Sequence, residues 1–176
     1  MTRIGLLSDT HGYWDERYLK YFDPCDQIWH AGDIGSMEVA ERLAAFRPLK
    51  AVYGNIDGQD MRHTFPETAR FTVDGADVLM KHIGGYPGKY DPSIRSVLLA
   101  NPPKLFISGH SHILKVKYDQ TLGLLHINPG SSRNIRIPYG PYFSTFQHRQ
   151  RKLFRPGSNR IKQVIVCLIK KTFRNL

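Results

Sequence analysis

Ile4-Gly5-Leu6-Leu7-Ser8-Asp9-Thr10-His11-Gly12 is an apolar run that stops at a polar turn. Four apolar or small residues bounded by Ser and Gly predict a short, fully buried strand. Where it stops, Asp9 and His11 stand two positions apart, so a carboxylate and an imidazole can converge at the strand end. That is half of a metal site. Asp-x-His is common by chance, and a turn Asp beside an exposed His is the plainer reading until other ligands appear. They do: Gly32-Asp33, Gly54-Asn55, His82, and Gly109-His110-Ser111-His112 each close an apolar run.

Outward from the first strand, Tyr13 to Phe22 reads as a short amphipathic helix and Asp26 to His30 as a second strand. Ser36 caps a helix running to about Phe46, Pro48 closes it, and Leu49 to Tyr53 is a third strand. This β-α-β-α-β order with short connections predicts parallel strands covered by helices. Then Asp74-Gly75, between Arg70–Val73 and Val78–His82, signals a hairpin. Asp91-Pro92 starts a helix that Asn101-Pro102-Pro103 ends. Leu105–Ser108 is another buried strand. Leu114–Tyr118 and Leu122–Asn128 are two alternating ones, ended by Asn128-Pro129-Gly130-Ser131. The expected architecture is α/β: a four-layer α-β-β-α sandwich of two mixed sheets with outer helices.

The 176 residues suit one domain, long enough to bury about 70% of its unfolded surface. No apolar run approaches the roughly 20 residues needed to span a bilayer, which excludes membrane insertion by helices. Met-Thr-Arg leads directly into the first strand, leaving no room for a secretory signal, and a cytoplasmic protein is expected. Cys25 and Cys167 are far apart, in no Cys-x-x-Cys arrangement, which argues against a disulfide framework or structural zinc site.

Net charge is +10, but its distribution carries more than its sum. Residues 1–132 hold 14 Lys and Arg against all 15 acids; residues 133–176 hold 11 Lys and Arg and no acid. The body is electrically ordinary, and a basic C-terminal segment supplies the excess. For that segment three readings stand: a closing hairpin with a basic outer face, an arm for nucleic acid or another anionic surface, or the product of a reading-frame change. Val164–Ile169 is a candidate strand of the second sheet, and Tyr142–Phe146 another. Exposed aromatics at Tyr142, Phe143 and Phe146 would suit a homo-oligomer.

Asp9, His11, Asp33, Asn55, His82, His110 and His112 supply two carboxylates, an amide oxygen and four imidazoles. These donors suit Mn, Fe, Zn, Ni or Mg. Seven ligands exceed the needs of one ion and suit two, about 3.5–4 Å apart, sharing one carboxylate.

These blocks, in this order, resemble the calcineurin-like metallophosphoesterase superfamily. The small size and the Asn128-Pro129-Gly130-Ser131 ending are more narrowly similar to its compact bacterial and archaeal phosphodiesterases, related to the retromer scaffold subunit. The resemblance spans residues 3 to about 132. It implies one divalent ion, manganese first, held by Asp9, His11, Asp33 and His112. It implies a second held by Asp33, Asn55, His82 and His110, with Asp33 bridging. Asn55, His82 and His110 double as the catalytic candidates. The implied reaction is in-line attack of a metal-bridging hydroxide on a small phosphodiester or nucleotide-derived substrate. Larger relatives place a His after the metal-binding Asn as general acid. Here Ile56 follows Asn55 and cannot donate a proton, so aryl leaving groups are expected to be favoured. The rival expectations are a catalytically weak scaffold of the same fold, and a nucleic-acid-binding protein or nuclease that uses the basic segment.

Among the remaining residues, His30 is either a partner that orients a ligand or a satisfied strand histidine. His126 is read as structural, His63 and His148 as surface residues. Asp57 and Asp60 are expected to face solvent. Gly84 to Gly88 is read as a turn at the mouth of the site, with Tyr86 or Lys89 in reach of substrate.

Overall fold

The alternation of β1 (Arg3–Leu7) sets the layering, because its even-numbered and odd-numbered residues bury against different partners. A computed structural model describes residues 2–132 and the backbone of one further strand, Ile165–Leu168. In chain order β1 is followed by α1 (Arg17–Phe22), β2 (Gln27–His30), α2 (Met37–Phe46), β3 (Leu49–Ala51), α3 (Gln59–Thr64), β4 (Thr68–Val73) and β5 (Ala76–Lys81). Then come β6 (Gly85–Tyr86), β7 (Lys89–Tyr90), α4 (Pro92–Ala100), β8 (Leu105–Ile107), β9 (Lys115–Asp119), β10 (Leu124–Asn128) and β11 (Ile165–Leu168).

One sheet has the order β11-β1-β2-β3, with all its pairings parallel. The other has the order β4-β5-β8-β10-β9. Its centre β5-β8-β10 is parallel, and its two edge pairs are antiparallel. Helix α4, crossing from β5 to β8, is what makes that centre parallel. Between the sheets, Ile4, Leu6, Trp29 and Val52 meet Val78, Met80, Ile107 and Ile127. Leu7 and Ile28 face the opposite way, onto Tyr18 and Phe22 of α1 and Val39 and Leu43 of α2. Leu79, Phe106 and Leu124 pack against Ile94 and Leu98 of α4. The expected helix–sheet–sheet–helix sandwich follows from this three-way partition of apolar residues.

Local signals account for most boundaries. Ser36 caps α2 by accepting from Val39 N–H, and Asp91 caps α4 by accepting from Ser93 N–H ahead of Pro92. Three expectations need correction. Helix α1 begins at Arg17 rather than Tyr13, because the Asp15 carboxylate takes the Arg17 N–H and guanidinium and holds the preceding residues in a loop. Helix α3, whose residues show little apolar periodicity, was not foreseen. Strand β11 joins the first sheet beside β1, with Arg3 opposite Ile165, rather than the second. The candidate strand Tyr142–Phe146, His148 and most of the basic segment lie outside the described residues. Among those described, no helix is long and apolar enough to cross a membrane.

Candidate metal centre

Parallel strands bring their C-terminal ends to one edge, and both sheets do so here. The loops after β1, β2, β3, β5 and β8 carry the seven predicted residues, at a crevice between strand ends where such folds bind ligands. Backbone rungs lock the loops together: Asp9 N–H to Gly32 O at 3.0 Å, His11 N–H to Asp33 O at 3.0 Å, and Gly109 N–H to His82 O at 2.9 Å.

Six of the seven residues gather into two triads. The ligand atoms of Asp9, His11 and His112 lie within 4.8 Å of one another, as do those of Asp33, His82 and His110. His112 Nε2 is 3.1 Å from Asp9 Oδ1 and 3.2 Å from His11 Nε2. His82 Nε2 is 3.2 Å from Asp33 Oδ1, while Asp33 Oδ2 is 4.0 Å from His11 Nε2. The Asp33 carboxylate therefore faces both triads, one oxygen to each. Asn55 is exposed on the turn that wraps this carboxylate: Ile56 N–H donates to Asp33 Oδ1 at 3.1 Å, and a Cβ on Gly54 would come within 2.8 Å of Asp33 Cγ.

These groups fit a cation. Both Asp9 oxygens and His82 Nε2 are buried without a hydrogen-bond partner. Buried polar atoms are seldom left in that state, and three converging at one edge suit a cation that would complete them. His82 Nδ1 lies 2.7 Å from the Ala31 carbonyl and donates to it, which fixes the tautomer and leaves the Nε2 lone pair facing the site. Burial pushes the Asp9 carboxyl above its ordinary range, a cost that a neighbouring cation removes. At Asp33 burial acts in the same direction, but His82, the Ile56 N–H and His11 outweigh it and hold the carboxyl below normal.

The backbone is bent to make this arrangement. Asp9, His11, Asp33, His110 and His112 have φ between 50° and 66°, the left-handed region that non-glycine residues seldom enter. Close approach matters as well. A Cβ on Gly109 would stand 2.8 Å from Ala31 O and 2.9 Å from His82 Nδ1, so only glycine lets the His110 loop lie against His82.

Three supports hold the loops. His30 is fully buried; its Nδ1 accepts from Gly32 N–H, so Nε2 carries the proton and donates to Thr10 Oγ, which donates to Ile34 O. It is both a satisfied strand histidine and the clasp between the first two ligand loops. Asp57, expected in solvent, is buried: it accepts from Ile34 N–H, Gly35 N–H and Gly54 N–H, tying the second loop to the third. Only three unpaired N–H groups converging on one point explain that, and no sequence pattern announces it. Asn128 donates to Gly109 O and accepts from Gly130 N–H, while Ser131 Oγ donates to Asp9 O and Ser132 N–H to Ser8 O. The ending that reads as a strand terminator thus joins the fifth loop to the first. Asp60 and His63 are exposed as expected, and Tyr86 sits on the β6–β7 hairpin under Lys115, whose Nζ is 3.4 Å above its ring.

His126 is buried, 2.9 Å from Ser108 Oγ through Nε2, with Nδ1 unpartnered. Burial lowers its pKa to about 4, and burial lowers that of His30 to about 3. Both values lie below the unfolded value of about 6.5. The neutral folded forms therefore contribute fully above about pH 6.5, and that contribution is lost as pH falls toward 4, because the unfolded chain binds the protons. Each group costs up to about 1.4 kcal/mol per pH unit in that window. A His126→Gln variant should flatten the dependence of the thermal midpoint on pH between 6.5 and 4.5 by about one proton. An unchanged slope would show that His126 is not the buried neutral group.

The comparisons with known proteins come down on one side. The sequence matches the calcineurin-like phosphoesterase superfamily domain over residues 2–151. The chain belongs to that superfamily. A "Probable metallophosphoesterase" of Methanothermobacter thermautotrophicus is 32% identical over 142 residues, covering 76% of this chain and 79% of the relative. Among solved structures, Vacuolar Protein Sorting 29 from Cryptosporidium parvum aligns with a TM-score of 0.59 at 22% identity, over 73% of this chain and 74% of that one. A novel archaeal phosphodiesterase aligns with a TM-score of 0.58 at 21% identity, over 74% of this chain and 84% of that one. A calcineurin-like phosphoesterase fold accounts for the two sheets and for ligand loops grouped at one edge.

Proposed function

We propose that the chain is a phosphodiesterase that works with two divalent metal ions. The observation that carries the reading is the pair of adjacent triads, with the Asp33 carboxylate of one 4.0 Å from His11 of the other and three buried ligand atoms left without hydrogen bonds. Asp9, His11, Asp33 and His112 would hold one ion; Asp33, Asn55, His82 and His110 the other, manganese first among the candidates. Bound there, two such ions supply Lewis-acid charge to a phosphate and bring the pKa of a coordinated water from 15.7 to roughly 7.

The rest is the work of the chain. Two carboxylates against two dications leave about +2, complementary to a phosphodiester anion. The Ala31 carbonyl keeps the His82 Nε2 lone pair turned inward, and the Asp57 and His30 clasps hold the loops that carry Asp33 and Asp9. Ile56 and Ile113, each next to a ligand and strongly exposed, line the rim with apolar surface. With Ile56 in place of a proton donor, the leaving oxygen departs unprotonated, so aryl esters are favoured over alkyl esters. The substrate class is a small phosphodiester or a nucleotide derivative.

Hydrolysis of bis(p-nitrophenyl) phosphate by metal-stripped protein, with Mn²⁺, Ni²⁺, Zn²⁺ or Mg²⁺ restored, tests the reading. Turnover is expected only with metal, and Asn55→Ala is expected to abolish it. Folded protein that is silent with every metal would instead favour a scaffold role, which the likeness to Vacuolar Protein Sorting 29 keeps in play.

A further inference from the structure

On the face of the second sheet that carries α4, the β6–β7 hairpin, α4 and the β9–β10 turn enclose an open groove of about 710 Å³. Its charges are uneven. Lys89, Arg95 and Lys117 line it, against one carboxylate, Asp119. That carboxylate is occupied by neutral donors: Oδ2 accepts from Tyr90 OH at 2.7 Å, and Oδ1 from Thr121 N–H at 2.9 Å and Leu122 N–H at 3.2 Å. Lys117 Nζ donates to Pro87 O at 3.2 Å. Among the described residues none of the three cations has a carboxylate within ion-pair distance, whereas Arg3, Arg17, Arg42, Arg47, Arg70 and Lys81 all do. Leu99, more than half exposed, adds an aliphatic surface to the same walls.

We infer that this groove is a second, non-catalytic site, and that it binds a nucleoside phosphate. Converging unpaired cations focus a positive potential in the cleft. Arg and Lys heads are the groups that take phosphate oxygens. A net charge near +2 matches a phosphate dianion, and Leu99 offers an apolar surface for a base. The volume lies in the range of small-ligand sites, roughly 300–1,000 Å³. None of the seven candidate metal ligands lines the groove. This inference goes beyond the phosphodiesterase reading and stands without it.

The test is calorimetric titration of the full chain, metal-stripped and kept in EDTA, with ADP, inorganic phosphate and adenosine in parallel. Saturable ADP binding is expected. Arg95→Glu with Lys117→Glu should weaken it at least tenfold, Leu99→Ser should weaken ADP more than phosphate, and His112→Ala should leave it unchanged. Circular dichroism melts show that the surface variants are folded, and their hydrolysis of bis(p-nitrophenyl) phosphate should match the parent. No saturation at millimolar ADP would overturn the inference. So would affinity untouched by the charge reversals, which would place the ligand on the basic C-terminal segment or at the metal centre. Phosphate binding as tightly as ADP would overturn the nucleoside part of the assignment.

Discussion

Asp33→Asn is expected to lower metal-dependent hydrolysis of bis(p-nitrophenyl) phosphate by on the order of 10³-fold, with a fold as stable as the parent. The substitution keeps the shape and the oxygen that accepts from Ile56 N–H, and removes the one charge that faces both triads. Charge stabilisation at a metal-assisted transition state amounts to several kcal/mol, and about 4 kcal/mol is a thousandfold in rate. The comparison to make is kcat/KM at saturating Mn²⁺, beside the bound metal content by elemental analysis. A decline of less than tenfold with full metal content would mean that Asp33 does not join the two groups. Asp9→Asn is the informative partner, since the Asp33 oxygens lie near a histidine of each triad while Asp9 sits in the first.

Asp57→Ala is expected to destabilise the fold by roughly 3 kcal/mol or more and to disable the site in the same step. Three buried or half-buried N–H groups, on Ile34, Gly35 and Gly54, would lose their only charged acceptor. Each hydrogen bond to a charged group contributes about 1.5–3 kcal/mol, and the loss is not additive when one acceptor serves several donors. Asp57→Asn retains part of the acceptor geometry and should fall between the parent and alanine. Denaturant unfolding gives the stability, and metal affinity by competition with a chelator gives the state of the site. An alanine variant as stable as the parent would mean that water replaces the carboxylate at all three donors.

The gathering of Asp9, His11, Asp33, His82, His110 and His112 was legible because each follows an apolar strand, and parallel strands send such ends to one edge. Ser36 and Asp91 were legible as caps because capping is a local contract between a side chain and the next turn. Asp57 was not. Two of the three N–H groups it takes lie 22 and 23 residues earlier in the chain, and the local one, on Gly54, would serve an exposed turn as well. The edge that β11 joins was equally hidden, since an apolar tetrad is compatible with either sheet, and pairing with Arg3–Leu6 is settled only in three dimensions. The left-handed backbone at Asp9, His11, Asp33, His110 and His112 also escaped notice. Asp and His are enriched there among non-glycine residues, but the region stays uncommon even for them. It accompanies the orphaned Asp9 and His82 atoms: the loops take a shape that gathers the candidate ligands, not the shape the residues prefer.

That choice has an evolutionary side. Each left-handed, non-glycine residue stores on the order of 1 kcal/mol, and glycine at the same position releases it. Five such positions make the ligand loops a reserve of stability that is withheld for as long as the ligands are kept. A descendant that lost its imidazoles to glycine would gain a firmer scaffold with every step. In this architecture the drift from catalyst to inert platform runs downhill, and retaining the ligands requires selection acting against that slope.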